Sequence, residues 1–200
     1  MFRSALSAAL LTLASTAAAQ TVGGAQPLGG PVIAGVCLLS REAIYANAAV
    51  GRAATARLQE LSRAAQGEID AQRTPLETEA RTLETQRASL SADQLRQRQE
   101  ALGRRLQALQ QAAAQGSREI EATRAKALER IANEAQPVIA QVYRQKNCGL
   151  LFDRGALLGG NFANDLTADV VRGLDARIQT ITFDRERLPA PAATPAPPPR

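Results

Sequence analysis

A leucine series runs up to Ser91 and resumes just after it. Ile69, Leu76, Leu83 and Leu90 recur every seven residues, and Leu95, Leu102, Leu106, Leu109, Ala113 and Ile120 follow at spacings of 7, 4, 3, 4 and 7. This is a coiled-coil rhythm. The joining stretch SLSADQLRQ, residues 89–97, holds neither Pro nor Gly, so nothing in it forbids a single uninterrupted rod. Two independent signals predict a turn instead. Ser91 followed by Gln94 fits a capping box, in which the Ser oxygen takes an orphan backbone N–H and the Gln side chain reaches back to the Ser amide. Asp93 then falls in the first turn, where the helix dipole favours negative charge. The second signal is geometric: in two antiparallel helices of equal rise, facing residues have numbers of constant sum. Leu90 with Leu95, Leu83 with Leu102, Leu76 with Leu109, Ala65 with Ile120 and Leu58 with Ala127 all sum to 185, and half of that, 92.5, lies inside the cap. Ile69 opposite Gly116 and Gln72 opposite Ala113 do not match.

Each arm of about 40 residues then extends roughly 60 Å, at 1.5 Å of rise per residue. Pro75 removes a backbone donor from the first arm, while Thr74, Pro75 and Glu77 together read as a helix restart. Kinks are predicted near 73–75 and near Pro137. Most other arm positions are Gln, Arg, Glu or Ala, so the seam is one leucine wide and a lone hairpin buries little apolar surface. Anchoring by partner subunits is expected. Val138, Ile139, Val142 and Tyr143 at the root are more apolar than anything at the tip and place the anchor there. With 3% aromatic residues, no Trp and no His, the chain cannot fill one large core, and an elongated shape follows.

The flanking segments are organised differently. Arg3, the apolar run Ala5 to Leu13, and Ala17, Ala18 and Ala19 read as a secretory signal peptide over 1–19; its apolar run of about nine residues is too short to span a bilayer. Residues 20–31 read as a flexible leader and 185–200, with six of the ten prolines, as a disordered tail. Between them, 32–50 forms the first part of a body, 51–147 the hairpin with its turn near 91–93, and 148–184 the second part of the body. Three short strands are expected in VIAGVCLLS (32–40), CGLLFD (148–153) and ALLGG (156–160). LTADVVRGLDARI reads as an amphipathic helix with Thr167 as its N-cap and Val170, Val171, Leu174 and Ile178 as its stripe. TITF (180–183) reads as a fourth strand or an ordered extension. The fold class is α+β: a small sheet body carrying a long antiparallel helical hairpin.

No catalytic constellation is visible. The absence of His removes the commonest base and metal ligand, Ser and Asp lack a Gly-rich elbow, and no phosphate-loop spacing appears, so neither an enzyme nor a cofactor or metal is expected. Without Arg3 the net charge falls from +5 to +4. Export and the lack of an aromatic-interleaved basic patch argue against nucleic acid. Residues 85–118 hold Arg87, Arg96, Arg98, Arg104, Arg105 and Arg118 against Asp93 and Glu100, a net of +4. That window is either a solvated helical surface or a positive rim that steers acidic clients or an anionic membrane surface. Cys37 and Cys148 are the only thiols in a chain bound for an oxidising compartment. They are either a disulfide closing the whole hairpin or two buried small hydrophobes.

The order of an exported start, a first strand leading into LSREAIYANAAVGRAA, a long hairpin and the return CGLLFDRGALLGGNFANDLTADVVRGLD resembles the Skp/OmpH family of periplasmic chaperones. The resemblance covers residues 32–178, and DLTADVV (165–171) is its most family-like piece. It implies a homotrimer in which small sheets join as a body, and hairpins project as tentacles around a cavity holding unfolded outer-membrane proteins without ATP. Val36, Leu38, Leu150 and Phe152 are then the expected trimer contacts, and Arg87, Arg96, Arg98, Arg104 and Arg105 the expected client-binding residues. The chain departs from the family pattern in its Arg-rich tentacles, Pro75 and its Pro-rich tail. No basic cluster carries over as a lipopolysaccharide site. The rival reading is a coiled-coil spacer or tether of the cell envelope.

Overall fold

A computed structural model describes residues 26–189. The signal peptide expected over 1–19, the leader up to residue 25 and the Pro-rich run from 190 onward lie outside the described residues. The chain is mostly helical, with two long helices and very little sheet. Strand β1 (Gln26–Pro27) is followed by β2 (Val36–Leu39), α1 (Arg41–Asn47), α2 (Ala49–Gln86) and α3 (Ala92–Gln145). Strands β3 (Leu150–Asp153) and β4 (Gly159–Gly160) and helix α4 (Thr167–Arg177) complete the order.

The hairpin turns where local chemistry directs it. A short 3-10 turn at Arg87–Ser89 ends α2, and Ser91, in extended conformation, caps α3. Both halves of the capping box form: the Gln94 N–H donates to Ser91 Oγ at 3.3 Å, and the Ser91 N–H donates to Gln94 Oε1 at 3.1 Å. Above the root, Ile69, Leu76, Leu83, Leu102 and Leu109 make the seam, with Ala80, Leu90, Leu95, Ala112 and Ala113 packed against them. Neither proline ends its helix: α2 continues through Pro75 and α3 through Pro137. A proline removes one backbone donor, which the flanking turns can tolerate.

At its far end α3 stops at Gln145, and Asn147, just past the C-cap Lys146, takes the left-handed conformation (φ 54°) common just beyond a helix C-terminus. The chain then enters β3, which pairs in parallel with β2 in the register Val36 with Leu150 through Leu39 with Asp153. The strands form two separate parallel pairs, β2–β3 and β1–β4, and not one closed sheet. Ser40 caps α1, accepting from the Ala43 N–H at 3.1 Å. The Ser40 N–H in turn donates to Thr167 Oγ1 at 2.9 Å, so this hydroxyl ties α4 to α1 and does not cap its own helix. The N–H of Thr167 donates to Asp165 Oδ1 at 2.8 Å, placing the turn-forming acceptor two residues earlier than predicted.

The principal core lies at the root. Ile44, Val50, Ala54, Ile131, Val138, Val142, Leu166, Val170 and Leu174 are buried together there. Ile139 and Tyr143, half-buried, pack on this cluster with Val171 and Ile178. Gly173 allows the contact between α4 and α3, because a Cβ there would stand 2.6 Å from Val138 Cγ1.

Residues 178–189 follow α4 without regular structure. TITF is therefore not a fourth strand; it is an extended strap lying along the hairpin. Ile181 and Phe183 pack in the root core, while Arg130 Nη1 donates to the Thr182 carbonyl at 3.1 Å and Arg57 Nε to the Phe183 carbonyl at 3.2 Å. Residues 185–189, read from sequence as the start of a free tail, continue this strap. Their charges find partners on both arms, a pairing that proline content gives no hint of.

Candidate functional site

Two surfaces carry the residues singled out from sequence, one at the hairpin tip and one on the body. At the tip, Arg87 lies 3.7 Å from Glu84, Arg96 pairs with Asp93, and Arg104 stands 3.9 Å from Glu100. Arg105 crosses to Glu79 on the opposite arm, and Arg98 Nη1 donates to Gln86 Oε1 at 2.9 Å, also across the hairpin. Arg98 further lines a groove with Thr74, Pro75, Thr78, Glu79, Thr82 and Leu83. The structure thus brings all five arginines to the distal arms, exposed and mostly paired.

Counting both arms changes the charge of the tip. A window along the sequence takes in one arm, but the folded tip contains both. Over residues 77–108, six arginines (81, 87, 96, 98, 104, 105) meet five acids (77, 79, 84, 93, 100), a net of +1, against +4 over the stretch 85–118. Glu79 and Glu84 arrive from α2. Exposed pairs of this kind contribute little stability, about 0 to 1 kcal/mol each, but they cancel most of the long-range field on which steering depends.

The body surface is different in kind. Leu150 and Phe152 are 56% and 45% exposed on the outward side of β3, and β3 pairs with β2 alone among the described residues. Val36, on the same side, is half-buried. Leu38 differs from them in being buried within the chain, 6% exposed. The segment 164–166 pairs with its backbone: the Leu38 N–H donates to the Asn164 carbonyl at 3.1 Å and its carbonyl accepts from the Leu166 N–H at 2.9 Å. Of the eight large apolar side chains exposed among the described residues, six (Leu28, Val32, Ile33, Leu150, Phe152 and Leu158) lie in the body; only Leu106 is on an arm and Leu188 on the strap. An unpaired strand edge beside clustered exposed apolar groups is a surface that favours association.

Cys37 and Cys148 are joined in a disulfide that closes the chain across 111 residues of sequence, with Cα atoms 5.8 Å apart. It locks the strand before the hairpin to the turn after it. Both sulfurs sit at the root, beside the main core.

Sequence reasoning missed a third feature, the charged cluster where the strap meets the arms. Glu119 is buried on α3, 5% exposed, and accepts at Oε1 from Gln115 Nε2 (3.2 Å) and from the Leu188 N–H (3.3 Å). Arg187 and Arg185 stand 3.3 Å from its other oxygen. Burial pushes the Glu119 carboxyl up, but the hydrogen bonds from Gln115 and Leu188 with the charges of Arg187 and Arg185 outweigh it and hold the pKa below the ordinary glutamate value. Thr123 donates to the Glu119 carbonyl at 2.6 Å and accepts from the Glu186 N–H at 2.9 Å. The alternation Ile181, Phe183, Arg185 was the available signal, since it turns every second strap residue inward.

Comparison with known proteins bears on what these surfaces belong to. The family described as outer membrane protein (OmpH-like) matches residues 35–174. A candidate outer membrane chaperone (OmpH-like) from Caulobacter crescentus, known by crystal structure, is 39% identical. The alignment covers 82% of this chain and 96% of that one, with a TM-score of 0.72. No curated protein matches the chain significantly. The family match ends within α4, so the strap lies beyond it.

Proposed function

The chain belongs to the OmpH-like outer membrane protein family, and from that premise we propose that it is a periplasmic holdase chaperone for unfolded outer-membrane proteins. The observation that supports this reading most is the division of surface: exposed apolar side chains gather on the body, while the long arms carry almost none. A body of that kind is suited to assembly, and arms of that kind to weak, reversible contact. Three chains joined through Val36, Leu150 and Phe152 would set three hairpins around a common space. Export would be directed by the signal peptide read at 1–19.

Client binding would then rest on many weak contacts. Seam residues Leu83, Leu90, Leu95 and Leu102 hold the arm together, which leaves Arg87, Arg96, Arg98, Arg104 and Arg105 with neighbouring Ala and Thr side chains to face a client. Simultaneous engagement by several arms raises avidity without any single strong contact, and release needs no nucleotide. The near-neutral tip favours short-range contact over long-range steering, to clients and to an anionic membrane surface alike.

The test dilutes a urea-unfolded outer-membrane β-barrel protein into buffer with the purified mature protein. Aggregation should be suppressed at about one assembly per client, with or without ATP, and the solution mass should be that of three chains. Leu150→Asp with Phe152→Asp should yield a folded monomer that no longer protects the client. An intact trimer that fails to protect would favour the envelope tether.

A further inference from the structure

One side chain reaches both arms of the hairpin. Arg185 Nη2 lies 2.7 Å from Glu68 Oε2 on α2, and Arg185 Nε lies 3.3 Å from Glu119 Oε2 on α3, with the arginine side chain 9% exposed. Glu68 and Glu119 stand at nearly the same level, because their numbers sum to 187 in a hairpin whose register sums to 185. The Nε atom is buried and makes no directed hydrogen bond, so its position is set by charge and by the strap. A guanidinium suits this place, since it presents several donors in a rigid fork and can serve two carboxylates at once.

The arms differ on either side of this level. Towards the root the strap lies across both helices, and Arg57, Lys126 and Arg130 hold it through Asp184, Glu186 and the Thr182 carbonyl. Towards the tip the strap makes one further contact, Gln115 Nε2 donating to the Leu188 carbonyl at 2.8 Å, and beyond it, among the described residues, the single leucine seam and scattered polar contacts join the helices. At the boundary stand Gly67 and Gly116, one on each arm, whose numbers sum to 183. A Cβ at either would meet nothing within 4 Å, so packing does not require glycine there. Glycine is the weakest helix former short of proline, and Pro75 follows a little further out on α2.

We infer that Arg185 is a positioning residue of the hairpin: it clasps α2 to α3 at Glu68 and Glu119, so that the proximal arms move as one body with the root and the distal arms pivot at the Gly67–Gly116 level. This rests on the chaperone reading only for its consequence, which is that the clasp sets the width of the space between arms. The clasp itself is a property of the single chain.

Hydrogen exchange on the full assembly tests it. With Arg185→Gln, amides in 57–68 and 115–126 should exchange roughly tenfold faster, as local opening no longer has to break the clasp. Arg185→Lys should fall between, because an ammonium reaches one carboxylate and not both. Gly67→Ala with Gly116→Ala should slow exchange in the same segments without touching the cluster, and this pair keeps the inference testable if Arg185→Gln fails to fold. Faster exchange confined to 178–188, full wild-type behaviour of Arg185→Lys, or no slowing in the glycine pair would each overturn it. Client protection, measured on the same samples, bears on the chaperone reading, so the two fail separately.

Discussion

Arg98 on α3 donates to Gln86 on α2 across the hairpin at 2.9 Å, and the two residue numbers sum to 184. Arg105 and Glu79, which also pair across the arms, sum to 184 as well. Both contacts fall within one residue of the register set by the leucines. Cysteines at Leu83 and Leu102 should therefore join within one chain on mild oxidation, identified by mass spectrometry of the linked peptides. Cysteines at Leu83 and Leu95, a full heptad out of register, should not; a bond there in place of the first would break the proposed alignment.

One hydroxyl caps the helix that leaves the turn. Ser91→Ala removes the acceptor for the Gln94 N–H while leaving Leu90 and Leu95 in place. A lost N-cap costs about 1 kcal/mol, within a range of roughly 0.5 to 2. The urea midpoint should fall accordingly, and Ser91→Asp should restore most of the loss because a carboxylate accepts the same bond. An unchanged midpoint in the alanine variant would mean that the seam alone sets the turn.

The bond between Cys37 and Cys148 closes the whole hairpin into a loop, across a sequence separation of 111. Restricting the unfolded chain in this way is worth roughly 2 to 5 kcal/mol. Protein from an oxidising compartment should show no titratable thiol, and reductant or paired Cys→Ser changes should lower the unfolding midpoint. The arms should keep their helical signal under mild conditions, since the bond secures the root and not the tip. Two free thiols in exported protein would contradict the bond.

Acid should loosen the molecule in a narrow range. Asp169 is held below its ordinary pKa first by a hydrogen bond from Lys146, 2.8 Å away, which with the charges of Lys146 and Arg172 outweighs its burial. Glu119 is also held low, its burial outweighed by Gln115, Leu188 and the two arginines. A group whose folded pKa lies below its unfolded value contributes fully above the unfolded value, about 4, and loses that contribution as pH falls further. Stability should thus hold steady from pH 7 to about 5 and drop below about 4. Glu119→Gln should be less stable than wild type at pH 7, and the two denaturation curves should converge at low pH. A gap that persists to pH 2 would show that charge at Glu119 is not what the strap uses.

The course of the chain through the hairpin was legible in the sequence because its determinants are short-range. A capping box spans four residues and a heptad spans seven, so Ser91, Gln94 and the leucines record the turn and the register with no knowledge of the rest of the fold. The apolar run at Val138 to Tyr143 marked the root for the same reason. Three results could come only from tertiary structure. The tip is nearly neutral because α2 brings Glu77, Glu79 and Glu84 to the end of the hairpin where α3 carries its arginines, with Glu79 paired to Arg105; the edge of β2 at Leu38 is closed because residues 164–166 pair with its backbone; and residues 178–189 become a strap because Arg185 meets carboxylates 117 and 66 positions away along the chain. Charge pairing and coverage act through space over a few ångströms, and a linear pattern holds no record of which distant segment will arrive.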